Sequence, residues 1–161
     1  MKKLILMLML CAPMAMFAQK FGKVNARAVV ESLPSYAKAQ GEISALSKQK
    51  ENEIKSMQDE LQRKVDEYQK SQSTMNPTAK KAKEDELNSL SQKVQQAYND
   101  AQNELQKKNA ELLQPISASV QDAIEKVGKE GGYTFIFEDG AALYTGTTVK
   151  DVTAEVKAKL K

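Results

Sequence analysis

The sequence predicts a mainly α fold: a long antiparallel two-helix hairpin arm, with the two chain ends folded into a small β body. Three observations predict it. Glycine is absent from Glu42 to Val127, a run of 86 residues. Sandwiches, barrels and doubly wound sheets need turns every 8–12 residues or so, and this run excludes them. Two apolar stripes of helical period cross the same stretch, separated by a single turn signal. Finally, five of the eight aromatics beyond residue 18 lie near the ends: Phe21, Tyr133, Phe135, Phe137 and Tyr144.

The first 18 residues are read as a secretory signal peptide. Met1-Lys2-Lys3 is a basic start, Leu4–Phe17 is nearly all apolar, and Ala18 precedes polar Gln19-Lys20. The apolar run is too short for a permanent membrane span. Cleavage after Ala18 removes Cys11, the only cysteine, so the mature chain has no disulfide. It also removes Lys2 and Lys3 and brings the net charge of +3 down to +1. An exported chain of that charge is no nucleic-acid binder. The cleaved signal routes the mature chain for export.

The first arm helix follows from the stripe Tyr36, Ala39, Ile43, Leu46, Lys50, Ile54, Met57, Leu61, Val65 and Tyr68. Its steps of three and four average about 3.6 residues, a helical seam. Lys50 takes a place where an apolar residue is expected. The turn is Ser71–Thr78, with Asn76 as a cap and Pro77 at the first helical position. The second stripe runs Leu87, Leu90, Val94, Ala97, Ala101, Leu105, Lys108, Leu112, Ile116, Val120, Ala123 and Val127. The helix should end at Gly128 or Gly131-Gly132, with a kink near Pro115. Before Pro115 each helix would span about 50–55 Å at 1.5 Å per residue. Flanking charges balance: Lys38–Lys70 carries seven of each sign and Thr78–Glu111 six of each. The exception is Lys70, Lys80, Lys81 and Lys83, which share a stretch without acids and place a basic cluster at the hairpin tip.

At the ends, Lys20–Asn25 reads as a strand and Ala26–Leu33 as a short helix. Tyr133–Phe137 alternates as a half-buried strand does, and Asp139-Gly140 should turn the chain so that Ala141–Tyr144 returns as the next strand. A last helix starts at Asp151 or Thr153. The expected division is residues 1–18 as signal peptide, 19–34 with 116–161 as the β body, and 35–115 as the arm. So small a body buries little surface and leaves strand edges open, so oligomerisation is the economical solution.

Enzyme chemistry is not expected. There is no histidine, no mature cysteine and no glycine-rich phosphate loop, and carboxylates such as Glu84, Asp85 and Glu86 lie among lysines on a solvated helix. No catalytic residue, metal site or cofactor is assigned.

The C-terminal run Tyr133-Thr134-Phe135-Ile136-Phe137-Glu138-Asp139, then Ala142-Leu143-Tyr144, then Val149-Lys150-Asp151-Val152-Thr153-Ala154-Glu155-Val156, resembles the ending of the Skp (OmpH) family of periplasmic chaperones. Gly22-Lys23-Val24-Asn25 before a short helix also resembles that family's start. The resemblance covers nearly the whole mature chain. It implies an ATP-independent holdase, a homotrimer whose joined β bodies form one small barrel, and arms that enclose unfolded outer-membrane β-barrel proteins. It implies trimerisation through Phe21, Val24, Tyr133, Phe135, Phe137, Leu143 and Tyr144, and client contact through Lys70, Lys80, Lys81 and Lys83. Lys107 and Lys108 fall where the family has a basic pair linked to lipopolysaccharide or anionic lipid, while its third basic position, near Ala97, is missing. The residues alone also fit a structural or adaptor coiled coil of the cell envelope.

Overall fold

The computed structural model describes residues 19–160, so the expected signal peptide lies outside the described residues. The elements, in chain order, are β1 (Phe21–Val24), α1 (Ala26–Glu31), α2 (Pro34–Ser71), a 3-10 turn (Gln72–Thr74), α3 (Pro77–Gly131), β2 (Phe135–Glu138), β3 (Lys150–Asp151) and α4 (Thr153–Ala158). They divide into two compact units. One joins the N-terminal residues through Val29 to Ser119 onward, and the other is Val30–Ala118. The fold is that expected from the sequence: long helices with a small sheet.

The second unit is the hairpin. Pro34 and Pro77 each open a helix, where a missing N–H costs nothing. At the turn the Asn76 side chain accepts a hydrogen bond from the Ala79 N–H at 2.8 Å. The Ser71 hydroxyl donates to the Glu67 carbonyl at 2.7 Å, closing the last turn of α2. α3 runs as one helix across Pro115, whose ring leaves the Glu111 carbonyl without its usual donor. The seam follows the stripes but is thinly buried. Ile43, Leu46, Ile54, Met57, Leu61 and Val65 are only half-buried, and the buried hydrophobic side chains of this unit are Ala39, Ala101 and Ile116.

In the first unit β1 is the centre of a parallel three-stranded sheet ordered β2-β1-β3. Phe21 pairs with Phe135 and Val24 with Glu138 on one side, while Gly22 pairs with Lys150 on the other. The pleat turns Gly22 and Val24 inward. The core of this unit consists of Val24, Val29, Val120, Ala123, Val127, Val152 and Val156. Three caps hold its helices. Asn25 accepts from the Ala28 N–H at 2.7 Å, Glu138 from the Ala26 N–H at 3.1 Å, and Asp151 from the Thr153 N–H at 2.9 Å. α3 ends where Gly132 takes the left-handed conformation, at φ 63°.

One expected element is absent. Gly140 does turn the chain, at φ 87°, and the Ala141 N–H donates to the Glu138 carbonyl. The chain does not return as a strand over Ala141–Tyr144. β2 stays an edge strand, and the Asp139 N–H carries its pairing with β1 on to the Val24 carbonyl at 2.8 Å, through the residue at which the hairpin turn was expected. The third strand is Lys150–Asp151, on the far side of β1.

Candidate functional site

Two surfaces carry the residues singled out from the sequence. The first is the outer face of the sheet. Alternation in β1 and β2 places Phe21, Lys23, Phe135 and Phe137 on the side away from the core. The Phe21 and Phe135 rings lie 6.2 Å apart and only 6° from parallel, and Phe135 and Phe137 lie 5.8 Å apart. Phe135 is 55% exposed and Phe137 44%. Three stacked phenylalanines facing water are an unpartnered apolar patch. Leu143 and Tyr144, in the segment between β2 and β3, are almost entirely exposed. A cleft of about 100 Å³ runs between Phe21, Phe137, Tyr144 and Val149. The alternation of the aromatic strand is therefore as expected, but its aromatic side is the open one and Ile136 points inward. Val24 belongs to the core instead of this face. Tyr133 is half-buried and lies under the Lys20 ammonium, 4.1 Å from its ring centroid.

Lys23 stands beside the patch and is matched by Asp139 at 2.9 Å, which raises its pKa above the ordinary lysine value. Lys150 is raised in the same way by Glu155. These pairs leave the aromatic patch as the uncompensated feature of this face.

The second surface is the hairpin turn. Lys70, Lys80, Lys81 and Lys83 are all exposed. They do not form a uniformly basic cluster, because the acids that follow fold back on them. Lys83 meets Glu86 at 2.8 Å, and Lys81 approaches Asp85 at 3.9 Å. Lys70 and Lys80 make no ion pair among the described residues. Beside them Tyr68, Met75 and Leu87 line a cavity of about 170 Å³ whose rim includes Lys64, Glu67 and Lys83.

The lysines on and beside the seam have a role that the sequence pattern did not disclose. Lys50 bridges to Glu104 at 2.8 Å, Lys108 to Glu42 at 3.4 Å, and Lys64 to Glu86. The Tyr68 hydroxyl donates to Glu84 at 2.5 Å. Each contact crosses from α2 to α3, so polar struts stand where apolar knobs would. The struts raise the pKa of Lys50 and Lys64, through Glu104 and Glu86 respectively. Lys64 and Lys83 together hold Glu86 down at about 2, and the Glu84 carboxylate pushes Tyr68 up to about 12. Lys107 and Lys108 are thus not an equivalent pair. Lys107 is exposed without an ion pair among the described residues, while Lys108 is half-buried against Glu42. A signal for the struts existed: a lysine at a seam position with glutamates flanking the facing seam.

Similarity to known proteins covers nearly all the described residues. The family profile described as "Outer membrane protein (OmpH-like)" matches residues 20–160. The chain is similar to "Chaperone protein Skp" of Yersinia enterocolitica, with 24% identity over 154 residues, covering 96% of this chain and 93% of that one. The protein of the same name from Pectobacterium atrosepticum is also 24% identical, over 89% of this chain and 87% of that one. A crystal structure described as an OmpH-like outer membrane chaperone from Caulobacter crescentus CB15 superimposes with a TM-score of 0.74 at 14% identity, covering 88% of this chain and 83% of that one.

Proposed function

The chain belongs to the OmpH-like outer membrane protein family, and from that premise we propose that it is an ATP-independent holdase chaperone of the periplasm. Its clients are unfolded outer-membrane β-barrel proteins, and it acts as a homotrimer. The relatives named as Skp chaperones support the holdase reading. The export signal read in residues 1–18 supports the location.

The observation that carries the reading is the hairpin seam. A helix pair built as a spacer rod buries a continuous row of large apolar side chains. This pair buries only Ala39, Ala101 and Ile116 among its apolar side chains along Val30–Ala118, and Lys–Glu struts cross it at three places. Its half-buried aliphatics are left for weak, reversible contact with an unfolded chain. Three such hairpins around one cavity convert weak contacts into retention through effective concentration. The half-buried Phe21 and the exposed Phe135 and Phe137, with Leu143 and Tyr144 nearby, supply the surface that joins three copies. Lys70 and Lys80 supply attraction to acidic clients, and Lys81 and Lys83 a weaker share. Lys107 offers one unmatched charge to lipopolysaccharide or another anionic lipid surface, and Lys108 adds little because Glu42 already holds it.

The test is light scattering of a urea-unfolded porin diluted without nucleotide into an equimolar amount of trimer. Turbidity should fall at low and moderate salt. Unchanged turbidity at both would replace the holdase with the envelope coiled coil.

A further inference from the structure

We propose that Gln19 is a modification site: once the signal peptide is removed after Ala18, the new α-amine closes on the Gln19 side chain to give an N-terminal pyroglutamyl lactam. The proposal rests on the reading of residues 1–18 as a cleaved signal and is independent of the holdase function.

Three observations point to it. Gln19 is exposed and makes no hydrogen bond among the described residues, so nothing in the fold holds its amide away from its own backbone nitrogen. The fold takes hold one residue later. The Lys20 ammonium donates to the Gly131 carbonyl at 2.7 Å and sits over the Tyr133 ring, while the Lys20 carbonyl accepts from the Thr134 N–H at 2.8 Å. Third, β1 begins at Phe21 and is the central strand of the sheet. The mature terminus would therefore stand two residues from the strand on which both neighbours depend.

The chemistry needs no oxidant, nucleotide or metal. An α-amine has an ordinary pKa of about 7.7–8, so roughly a tenth or more is the neutral nucleophile at pH 7. The amine nitrogen attacks Cδ, a five-membered ring closes, and the bond from Cδ to the side-chain nitrogen breaks. Ammonia leaves and carries away the proton. Intramolecular placement supplies the high effective molarity that the step requires. The product has lost the positive charge of the terminus and has no free amine for an aminopeptidase. Trimming beyond Gln19 would remove first Lys20, the staple on Gly131, and then Phe21, the start of the central strand. Exposed termini are where such trimming concentrates. The lactam therefore acts as a lock on β1.

The test uses the full precursor, exported by a bacterial host and purified from the periplasm. Intact-mass and N-terminal peptide spectra should show a chain about 17 Da lighter than one starting at free Gln19, the mass of one ammonia. Aminopeptidase should leave it intact until pyroglutamyl peptidase is added. Gln19→Ser, which cannot cyclise, should be trimmed without that treatment. A chain beginning at a residue other than 19 overturns the cleavage premise and the site with it. A chain that begins at Gln19 and keeps its amine through days at pH 8 overturns the cyclisation itself.

Discussion

Lys64 on α2 crosses the hairpin seam to Glu86 on α3, and Lys83 reaches the other oxygen of the same carboxylate at 2.8 Å. One carboxylate thereby ties the two helices together near the turn and also absorbs the charge of a tip lysine. The pair flanks the seam residues Val65 and Leu87, which are only half-buried.

The first prediction concerns acid. The Glu86 pKa falls from its ordinary 4.5 to about 2 in the folded hairpin. A depressed carboxylate contributes stability that is fully present above its ordinary value and is lost as pH falls through the folded one. Amide protection around Lys64–Glu86 should therefore weaken between about pH 4.5 and 2. Glu86→Gln should show that weaker protection already at pH 7 and lose the pH dependence. Hydrogen exchange at the turn measures both, and identical profiles for the two proteins would refute the strut.

Much of the helical part was legible because its causes are local. The period of the stripes, Asn76 and Pro77 at the turn, and Gly131-Gly132 at the stop all act within a few residues. The sheet was legible only in part. Its pairings join residues more than 100 apart, Phe21 to Phe135 and Gly22 to Lys150, and period alone says nothing about which partner an edge will choose. For that reason Ala141–Tyr144 read as a returning strand, whereas Lys150–Asp151 is the one that pairs. The same holds for the site. Exposure of the tip lysines follows from the turn, but their neutralisation by Asp85 and Glu86 depends on helical geometry that a count of acids within Lys70–Lys83 misses.

The second prediction tests the end of α3. Gly132 has φ 63°, a region in which a Cβ costs about 1–2 kcal/mol. Nothing lies within 4 Å of a Cβ placed there, so Gly132→Ala reports conformation without collision. The midpoint of thermal unfolding should drop by several degrees. A matched change at Gly41, which is helical and also open, should raise it or leave it alone.

The third prediction concerns the aromatic face. Phe135 is half out in water in the single chain, so Phe135→Asp should leave the fold of each copy intact. In an assembly that covers this face the same change buries an unpaired carboxylate, which is costly. Light scattering coupled to size exclusion should show wild type at three times the mature mass and Phe135→Asp shifted toward one. A loss of at least about tenfold in assembly affinity is expected of a central aromatic anchor. Ile136→Asp is the contrast: Ile136 faces the core, and circular dichroism should report unfolding instead of clean dissociation.

The last prediction separates capture from holding at the hairpin turn. Lys70 and Lys80 make no ion pair among the described residues, whereas Lys83 is matched by Glu86 and Lys81 weakly by Asp85. The long-range field of the turn should thus come mainly from the first two. Charges of this kind act on the rate of encounter more than on the lifetime of the complex. Substituting Lys70 and Lys80 by Ser should slow association with an acidic unfolded β-barrel client severalfold at low salt and leave its release nearly unchanged. Substituting Lys81 and Lys83 should slow association less. Because Lys83→Ser removes one of the two lysines that hold Glu86, it should loosen the turn measurably in hydrogen exchange while Lys70→Ser does not. Salt should compress the differences in rate, since the screening length is about 8 Å at physiological ionic strength. Stopped-flow fluorescence of a labelled client at two salt concentrations resolves these rates. Equal slowing by both pairs, or faster release as the main effect, would mean that the lysines hold the client by direct contact and do not steer it.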